Sequence, residues 1–362
     1  MDLEELRTRL SAIDRQILEL AAERQSLSTR IGMVKQAAGQ PTRDFNREKQ
    51  VLETARERAE ELGLSPELAA SMMQLLIRAS LTHQERVRVR AEGKGQGRRA
   101  LVIGGAGKMG RWFAEFLDSQ GYAVTVADPS ASAEGFGQVR DWRETPDEFD
   151  VTVVAAPIAA TADILAQLTV LGRKGLIFDI SSLKSPLSDA LHAAAQRGLQ
   201  VTSVHPMFGP DTELLSGRHV LFLEVGVPQA TAAARALFGS TMAQQIEMPL
   251  ADHDRLIAYV LGLSHALNIA FFSALADSGE ALPRLEQLSS TTFDAQLEVA
   301  ARVAAENPEL YFEIQVDNPH GLEAVHALQS AVRRFSELVE QRDERAFVEL
   351  MERGRDYLQR RG

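Results

Sequence analysis

An all-helical segment, a doubly wound α/β segment and a second all-helical segment make up this chain, and three patterns in its 362 residues say so. Apolar residues recur at three–four spacing from Leu3 to Val34 with no proline between them. Between Ala100 and Asp128 a strand, a glycine loop, a helix and a second strand follow one another, and the alternation continues to about residue 250. From Ala251 to Gly362 the pattern is helical almost throughout. The expected divisions are 1–92, a linker at 93–99, then 100–250 and 251–362.

Bulk properties set limits before any motif is read. This length suits two or three domains, each able to bury its own core. With no cysteine in the chain, disulfides, thiol catalysis and thiolate metal sites are excluded. The opening MDLEELRTRL is charged and has no apolar stretch, so no signal peptide is expected. No run of eighteen apolar residues occurs, so no membrane span is expected, and a soluble cytoplasmic protein is the default. The net charge of −11 argues against nucleic acid as a partner. Residues 1–92 hold fifteen Lys/Arg against fifteen Asp/Glu, so the acidity lies beyond them.

In the first segment Leu3, Leu6, Leu10, Ile13, Ile17, Leu20, Leu27, Ile31 and Val34 form the seam of a long helix packed against partners. Where the spacing asks for an apolar residue between Leu20 and Leu27, Arg24 stands. A charge on a buried seam costs several kcal/mol unless it is paired. Arg24 therefore either snorkels at a helix crossing or meets an anionic ligand. Lys35, eleven residues on, returns to nearly the same face roughly 16 Å along the axis, within range for two long cations to converge on a small anion. Gly39-Gln40-Pro41 ends the helix. Asp44, Arg47 and Glu48 then share a face, which alone reads as a solvated one. After Ser65-Pro66 a third helix carries Leu68, Met72, Leu75, Leu76 and Ala79 as its apolar stripe, with Ser80 and Gln84 one turn apart.

Over residues 1–90 these features resemble the all-helical chorismate mutase family. The resemblance rests on L-R at Leu6-Arg7, A-E-R ending at Arg24, I-G-x-x-K from Ile31 to Lys35, and R-D-x-x-R-E from Arg43 to Glu48. It implies a site of Arg7, Arg24, Lys35, Asp44, Arg47, Glu48, Ser80 and Gln84 that rearranges chorismate to prephenate. In that implied site Arg7 and Arg24 take carboxylates, Lys35 and Gln84 the ether oxygen, and Glu48 with Asp44 and Ser80 the hydroxyl side. A pericyclic rearrangement transfers no proton, so holding the compact conformer and aiming donors at the breaking bond suffice. Arg7 and Arg24 are seventeen residues apart, roughly 25 Å along one helix. Two chains must therefore interlock to complete a site, and a homodimer is expected.

Glu92-Gly93-Lys94-Gly95-Gln96-Gly97 has no periodicity and reads as a flexible joint. Beyond it, Ala100-Leu101-Val102-Ile103 is a strand running into G-x-G-x-x-G on Gly105, Gly107 and Gly110. A helical pattern (Trp112, Phe113, Phe116, Leu117) and the strand Ala123–Ala127 follow, ending on Asp128. This is the opening of a Rossmann-type doubly wound domain. Gly105 is expected to allow the tight turn, Gly107 the approach of a pyrophosphate, and Gly110 the packing of helix on strand. Gly105, Gly107, Lys108, Met109 and Gly110 form the expected cofactor loop, and Asp128 is to accept from a ribose. No Lys or Arg follows Asp128 until Arg140, so NAD is expected rather than NADP.

Further strands are expected at Phe149–Pro157, Gly175–Asp179 and Leu199–Ser203, with a helix around Thr161–Leu171. Two of them lead into Ser181-Ser182-Leu183-Lys184 and His205-Pro206-Met207-Phe208-Gly209-Pro210, loops of the kind that face the cofactor crevice. A lone His at a strand end is ordinarily structural; among Pro and Gly beside a nicotinamide site it is a candidate for proton transfer. His253 and His265, on an apolar helical stretch, read alone as satisfied core histidines, and Arg302 as a helix-surface residue. The histidines lack metal-ligand spacing, so no metal is expected.

With the glycine loop, S-S-L-K, H-P-M-F-G-P, D-H-D at His253, L-S-H at His265 and Arg302 ahead of N-P-E-L-Y, residues 100–350 resemble the prephenate dehydrogenase family. The resemblance implies NAD-dependent oxidative decarboxylation of prephenate to 4-hydroxyphenylpyruvate, and a final helical domain that dimerises. It implies His205 as the group that takes the C4 hydroxyl proton, oriented by Ser182. Arg302 is implied to clamp a carboxylate, with Lys184 and His265 also on the substrate. Relatives from enteric bacteria carry Arg where Asp294 and Ser264 stand here, which leaves L-arogenate open as the alternative substrate. Tyrosine, a 4-substituted six-membered ring with a three-carbon acid tail, suits the implied dehydrogenase pocket and is open as an inhibitor. Two rivals remain: a β-hydroxyacid dehydrogenase, whose helical-domain Lys is here replaced by His in Gly262–Asn268, and an NAD-sensing regulator with a helical dimerisation arm.

Overall fold

The computed structural model describes residues 2–129, 133–145 and 148–360; Met1, Arg361 and Gly362, the outermost residues of the expected 1–92 and 251–362 segments, fall outside this range. The chain divides into two compact units, one of 1–156, 163–180 and 191–247, the other of 157–162, 181–190 and 248–362.

The first unit begins with three helices, α1 (Leu3–Ala37), α2 (Phe45–Glu61) and α3 (Pro66–Glu92). Each start is capped as its sequence dictates. Asp2 and Glu5 form a reciprocal capping box, Asp44 accepts from the N–H of Arg47, and Ser65 accepts from that of Leu68. α2 and α3 pack together, and α1 lies on α3. The α1 seam is not covered by them: α1 has no buried residue, and Leu10 is 60% and Ile17 46% exposed. The packing expected of this seam is not supplied by α2 or α3.

In the 93–99 joint Gly93 and Gly95 lie close against the 120–122 turn. Gly95 donates its N–H to the Gln120 carbonyl at 3.0 Å, and a Cβ at Gly93 or Gly95 would fall within 2.5 Å of the 120–122 backbone. These glycines allow the chain to pass close against a turn, which is a different use of the residue from looseness. Eight residues before Gly93, the buried Glu85 carboxylate accepts the N–H groups of Leu215 (2.8 Å) and Met242. Burial holds its carboxyl above the ordinary range, although the two N–H groups oppose the shift.

The α/β part runs β1 (Arg99–Ile103), α4 (Lys108–Ser119), β2 (Ala123–Ala127), β3 (Gly137–Val139), β4 (Val151–Val154), α5 (Ile158–Leu171), β5 (Leu176–Asp179), α6 (Ser188–Gln196), β6 (Gln200–Pro206), β7 (His219–Glu224), α7 (Pro228–Leu237) and β8 (Gln244–Pro249). The sheet order is β3-β2-β1-β4-β5-β6-β7-β8. The first six strands are parallel, and β7 pairs antiparallel with β6. The parallel part has the order of a dinucleotide-binding sheet, with its crevice beyond the β1 and β4 carboxyl ends. Its core gathers Phe113, Phe178, Phe222 and Phe238 with the apolar residues of β1 and β4. β6 extends to Pro206, so His205 is a strand residue, paired with Leu221, and not part of a loop.

The second unit is helical after residue 249: α8 (Leu250–Ile257), one stretch of π-helix at 258–263, α9 (Ser264–Asp277), α10 (Leu282–Gln287), α11 (Thr291–Ala304), α12 (Pro308–Val316), α13 (Gly321–Gln341) and α14 (Glu344–Gln359). The π stretch leaves the Gly262 carbonyl to the Gln315 side chain at 2.9 Å. The run 250–277 is, among the described residues, one helix long and apolar enough to cross a membrane on composition alone, which the sequence expectation did not foresee. It carries His253, Asp254, His265 and Asn268 as buried polar residues, the marks of a helix inside a protein domain.

Candidate active sites

In the α1–α3 part, Gly32 opens space on α1 for a residue of α3: a Cβ there would stand 3.0 Å from Gln84 Cγ. Gln84 uses that space to donate from Nε2 to the Ser28 carbonyl (2.6 Å) and hydroxyl (2.8 Å). Arg24 Nη1 reaches across to the Leu76 carbonyl and the Ser80 hydroxyl, each at 3.0 Å. Partial burial lowers its pKa from the ordinary value. Lys35 Nζ approaches the Thr42 carbonyl at 3.4 Å. Glu48 accepts from Arg43 Nε and Nη2 at 2.9 Å each.

Arg24, Lys35, Ser80, Gln84 and Glu48 are thus all held by bonds between or beside the helices. Ser80 differs from its expected grouping with Glu48 and Asp44: it is buried on α3 with its hydroxyl on Arg24. Asp44 is exposed and its carboxylate caps α2, while Arg47, also exposed, reaches Gln50 at 3.4 Å. Arg7 stays apart from the group, exposed and 3.8 Å from Glu4. Arg43 was visible in the R-D-x-x-R-E motif, yet spacing gave it no partner; its bidentate hold on Glu48 appears only in three dimensions.

At the sheet's carboxyl edge the glycines divide their work differently from expectation. The left-handed residue is Gly104 (φ +79°), where Gly105 was expected to make the turn. Gly105 instead gives clearance, since a Cβ there would lie 2.7 Å from Val126 Cγ1. A Cβ on Gly110 would meet the Gly104 carbonyl at 2.2 Å, so α4 can start against the loop only without one. Gly107 is the N-cap of α4 and supplies no side chain, which leaves the first N–H groups to an anion. Asp128, at the end of β2, accepts the Ala106 N–H at 3.3 Å. Lys108 is exposed and Met109 half-buried on the first turn of α4. This loop has the free α4 N–H groups and the acid at the end of β2 that a dinucleotide's phosphates and ribose require. His205 is buried at the same carboxyl edge, two residues past the last β5–β6 pair, Asp179 with Ser203.

Within the second unit, Lys184 is buried, and its N–H and that of Ser185 are bound by Asp254. Ser182 is half-buried two residues earlier. The resemblance implies a place on the substrate for Lys184, and this residue is 1% exposed in the single chain. His265 stacks on Tyr311, ring centroids 4.1 Å apart, and burial pushes its pKa down to about 4. Its Nδ1 has no hydrogen-bond partner among the described residues. Arg302 is 76% exposed and pairs with Glu298 one turn back, so in the single chain it forms a helix-surface ion pair and no clamp.

Residues 6–85 match the family described as chorismate mutase type II. Residues 113–225 match the nucleotide-binding domain of prephenate dehydrogenase, and residues 249–353 its dimerization domain. A T-protein of Enterobacter agglomerans is 28% identical over 357 residues, covering 96% of this chain and 90% of the relative. The 4-amino-4-deoxyprephenate dehydrogenase of Streptomyces pristinaespiralis is 33% identical over 265 residues, covering 70% and 88%. The crystal structure of Aquifex aeolicus prephenate dehydrogenase, in complex with hydroxyphenyl propionate and NAD+, superposes with a TM-score of 0.56 at 17% identity, covering 72% of this chain and 97% of that one. The β-hydroxyacid dehydrogenase and regulator readings leave the match over 6–85 without an account. The chain belongs to the prephenate dehydrogenase family and carries a type II chorismate mutase domain ahead of the dehydrogenase.

Proposed function

We propose that this chain is a bifunctional enzyme of tyrosine biosynthesis, which rearranges chorismate to prephenate and oxidatively decarboxylates prephenate to 4-hydroxyphenylpyruvate. The observation that carries the reading is the presence of both matches, in this order, on one chain.

In the mutase, Arg24 and Arg7 of the partner subunit take the substrate carboxylates, and Lys35 and Gln84 aim donors at the ether oxygen. Glu48 takes the hydroxyl, with Asp44 and Arg47 beside it, while Ser80 steadies Arg24 from α3. The partly buried guanidinium of Arg24 is held in place before substrate arrives, so little reorganisation remains for the reaction. In the dehydrogenase, Gly105, Gly107, Lys108, Met109, Gly110 and Asp128 hold NAD, which supplies the two-electron acceptor. His205 takes the proton of the C4 hydroxyl, Ser182 orients it, and Arg302, Lys184 and His265 serve the substrate. Loss of carbon dioxide aromatises the ring and makes the step one-way.

A cytoplasmic homodimer completes the reading, supported by the uncovered α1 seam and the dimerization-domain match. Tyrosine, which shares the product's ring and three-carbon tail, is proposed to compete with prephenate. Incubation with chorismate tests the main claim: chorismate is consumed without NAD, and NADH forms when NAD is added. Silence in both channels would sink it, and faster turnover of L-arogenate than of prephenate would change the second substrate.

A further inference from the structure

Ser216 lies in the segment between β6 and β7, in the nucleotide-binding part of the chain. Its hydroxyl nevertheless accepts a hydrogen bond at 2.8 Å from Arg43 Nη1, at the approach to α2. The other two nitrogens of that guanidinium, Nε and Nη2, each donate at 2.9 Å to a different oxygen of Glu48. Two parallel bonds fix the plane of a carboxylate as well as its distance. The third bond, to Ser216, fixes the rotation of the fork itself. Arg43 also covers the Phe45 ring, with Cζ 4.3 Å from its centroid, which removes the remaining freedom of the side chain.

The segment that bears Ser216 is itself anchored to α3. Glu85 accepts the N–H of Leu215, the residue next to Ser216, and that of Met242. The Ser216 hydroxyl therefore presents itself to Arg43 from a fixed place. We infer that Ser216, acting through Arg43, positions the Glu48 carboxylate for the chorismate rearrangement, so that the dehydrogenase part of the chain contributes a positioning residue to the mutase. This rests on the reading that places Glu48 in the mutase site. Its physical basis is that a reactive group must be held within about 0.5 Å of its working place by neighbours whose own rotamers are locked.

The test uses the full chain, with mutase followed as chorismate loss without NAD and dehydrogenase as NADH from supplied prephenate. Ser216→Ala is expected to lower mutase kcat about three- to tenfold, with the chorismate KM changed less than about twofold. Dehydrogenase activity stays at the parent level, and Ser216→Thr, which keeps the hydroxyl, restores the mutase. Arg43→Gln is expected to cost more, and adding Ser216→Ala to it to cost nothing further, because Ser216 acts only through Arg43. A Ser216→Ala chain with parent mutase activity, alongside an inactive Glu48→Gln chain, overturns the inference and leaves the site reading standing. Equal loss of both activities in Ser216→Ala makes the contact merely structural and also overturns it. Should Glu48→Gln retain full mutase activity, the placement of Glu48 fails, and the inference fails with it.

Discussion

Nδ1 of His253 lies 2.6 Å from Oδ1 of Asp254, and both side chains are buried. The same carboxylate accepts the N–H groups of Lys184 (3.0 Å) and Ser185 (2.6 Å). Asp254 thereby ties the turn after Ser182 to α8, and the Asn318 side chain holds its backbone carbonyl at 2.9 Å. Burial alone would raise this carboxyl's pKa. The bonds from His253 and Ser185 outweigh that and carry it down to about 2, from 3.8.

A carboxyl whose pKa falls on folding stabilises the native state above its unfolded value, and the contribution is lost as pH drops through the folded value. For Asp254 the contribution is complete above about pH 4 and disappears towards pH 2, and it amounts to on the order of 2 kcal/mol. Asp254→Asn is expected to lower unfolding stability by that amount at pH 7, and to flatten the acid loss between pH 4 and 2. Urea titrations at several pH values measure both. A variant as stable as the parent at pH 7 would show that the turn is held by something else.

His265 gives a second pH dependence, with a different window. Burial against Tyr311 lowers its pKa from 6.5 to about 4, so folding disfavours its protonated form. Stability is unaffected above about pH 6.5 and is lost as pH falls towards 4. His265→Asn is expected to remove that loss, measured as the pH dependence of the unfolding midpoint. Because His265 stays neutral from pH 5 to 8, an acid limb of dehydrogenase activity near pH 6 to 7 is assigned to a group other than His265. The limb should persist in His265→Asn. Its disappearance there would reverse the assignment.

Much of this was legible in the residues because local physics decided it. The glycine loop, the acid at the end of β2 and the apolar strands fixed the doubly wound sheet. Ser65-Pro66 marked the start of α3. What stayed hidden depended on long-range partners. No spacing rule pairs Arg43 with Ser216, Glu85 with Leu215 or Gly95 with Gln120. The π stretch at 258–263 leaves no periodic mark, and Arg302, which looked like a clamp by its motif, is on an open helix surface in the single chain. Exposure of the α1 seam was foreseeable only as a demand for a partner.

Gly110 offers a test confined to the dehydrogenase. A methyl group there would sit 2.2 Å from the Gly104 carbonyl and 2.7 Å from Gly105 Cα, both backbone, so the loop must shift or α4 must lift. Such overpacking costs about 1–3 kcal/mol. Gly110→Ala is expected to raise the KM for NAD by about tenfold or more, since the displaced atoms are those that surround the phosphates. Mutase activity should stay at the parent level. An unchanged KM would mean that this loop does not hold the dinucleotide.

Arg7 and Arg24 sit on one helix, yet only Arg24 reaches the α3 face, while Arg7 is 67% exposed beside Glu4. If each mutase site takes Arg24 from one chain and Arg7 from the other, Arg7→Ala and Arg24→Ala chains should each be inactive alone. A heterodimer of the two has one site with both arginines intact and one with neither. With random pairing half the dimers are mixed, so co-produced chains should recover about one quarter of the parent mutase activity. Dehydrogenase activity, independent of either residue, calibrates the amount of folded protein in each sample. Recovery near zero in the mixture would place both arginines in the same chain's site or outside it altogether, and the interlocked dimer would fall.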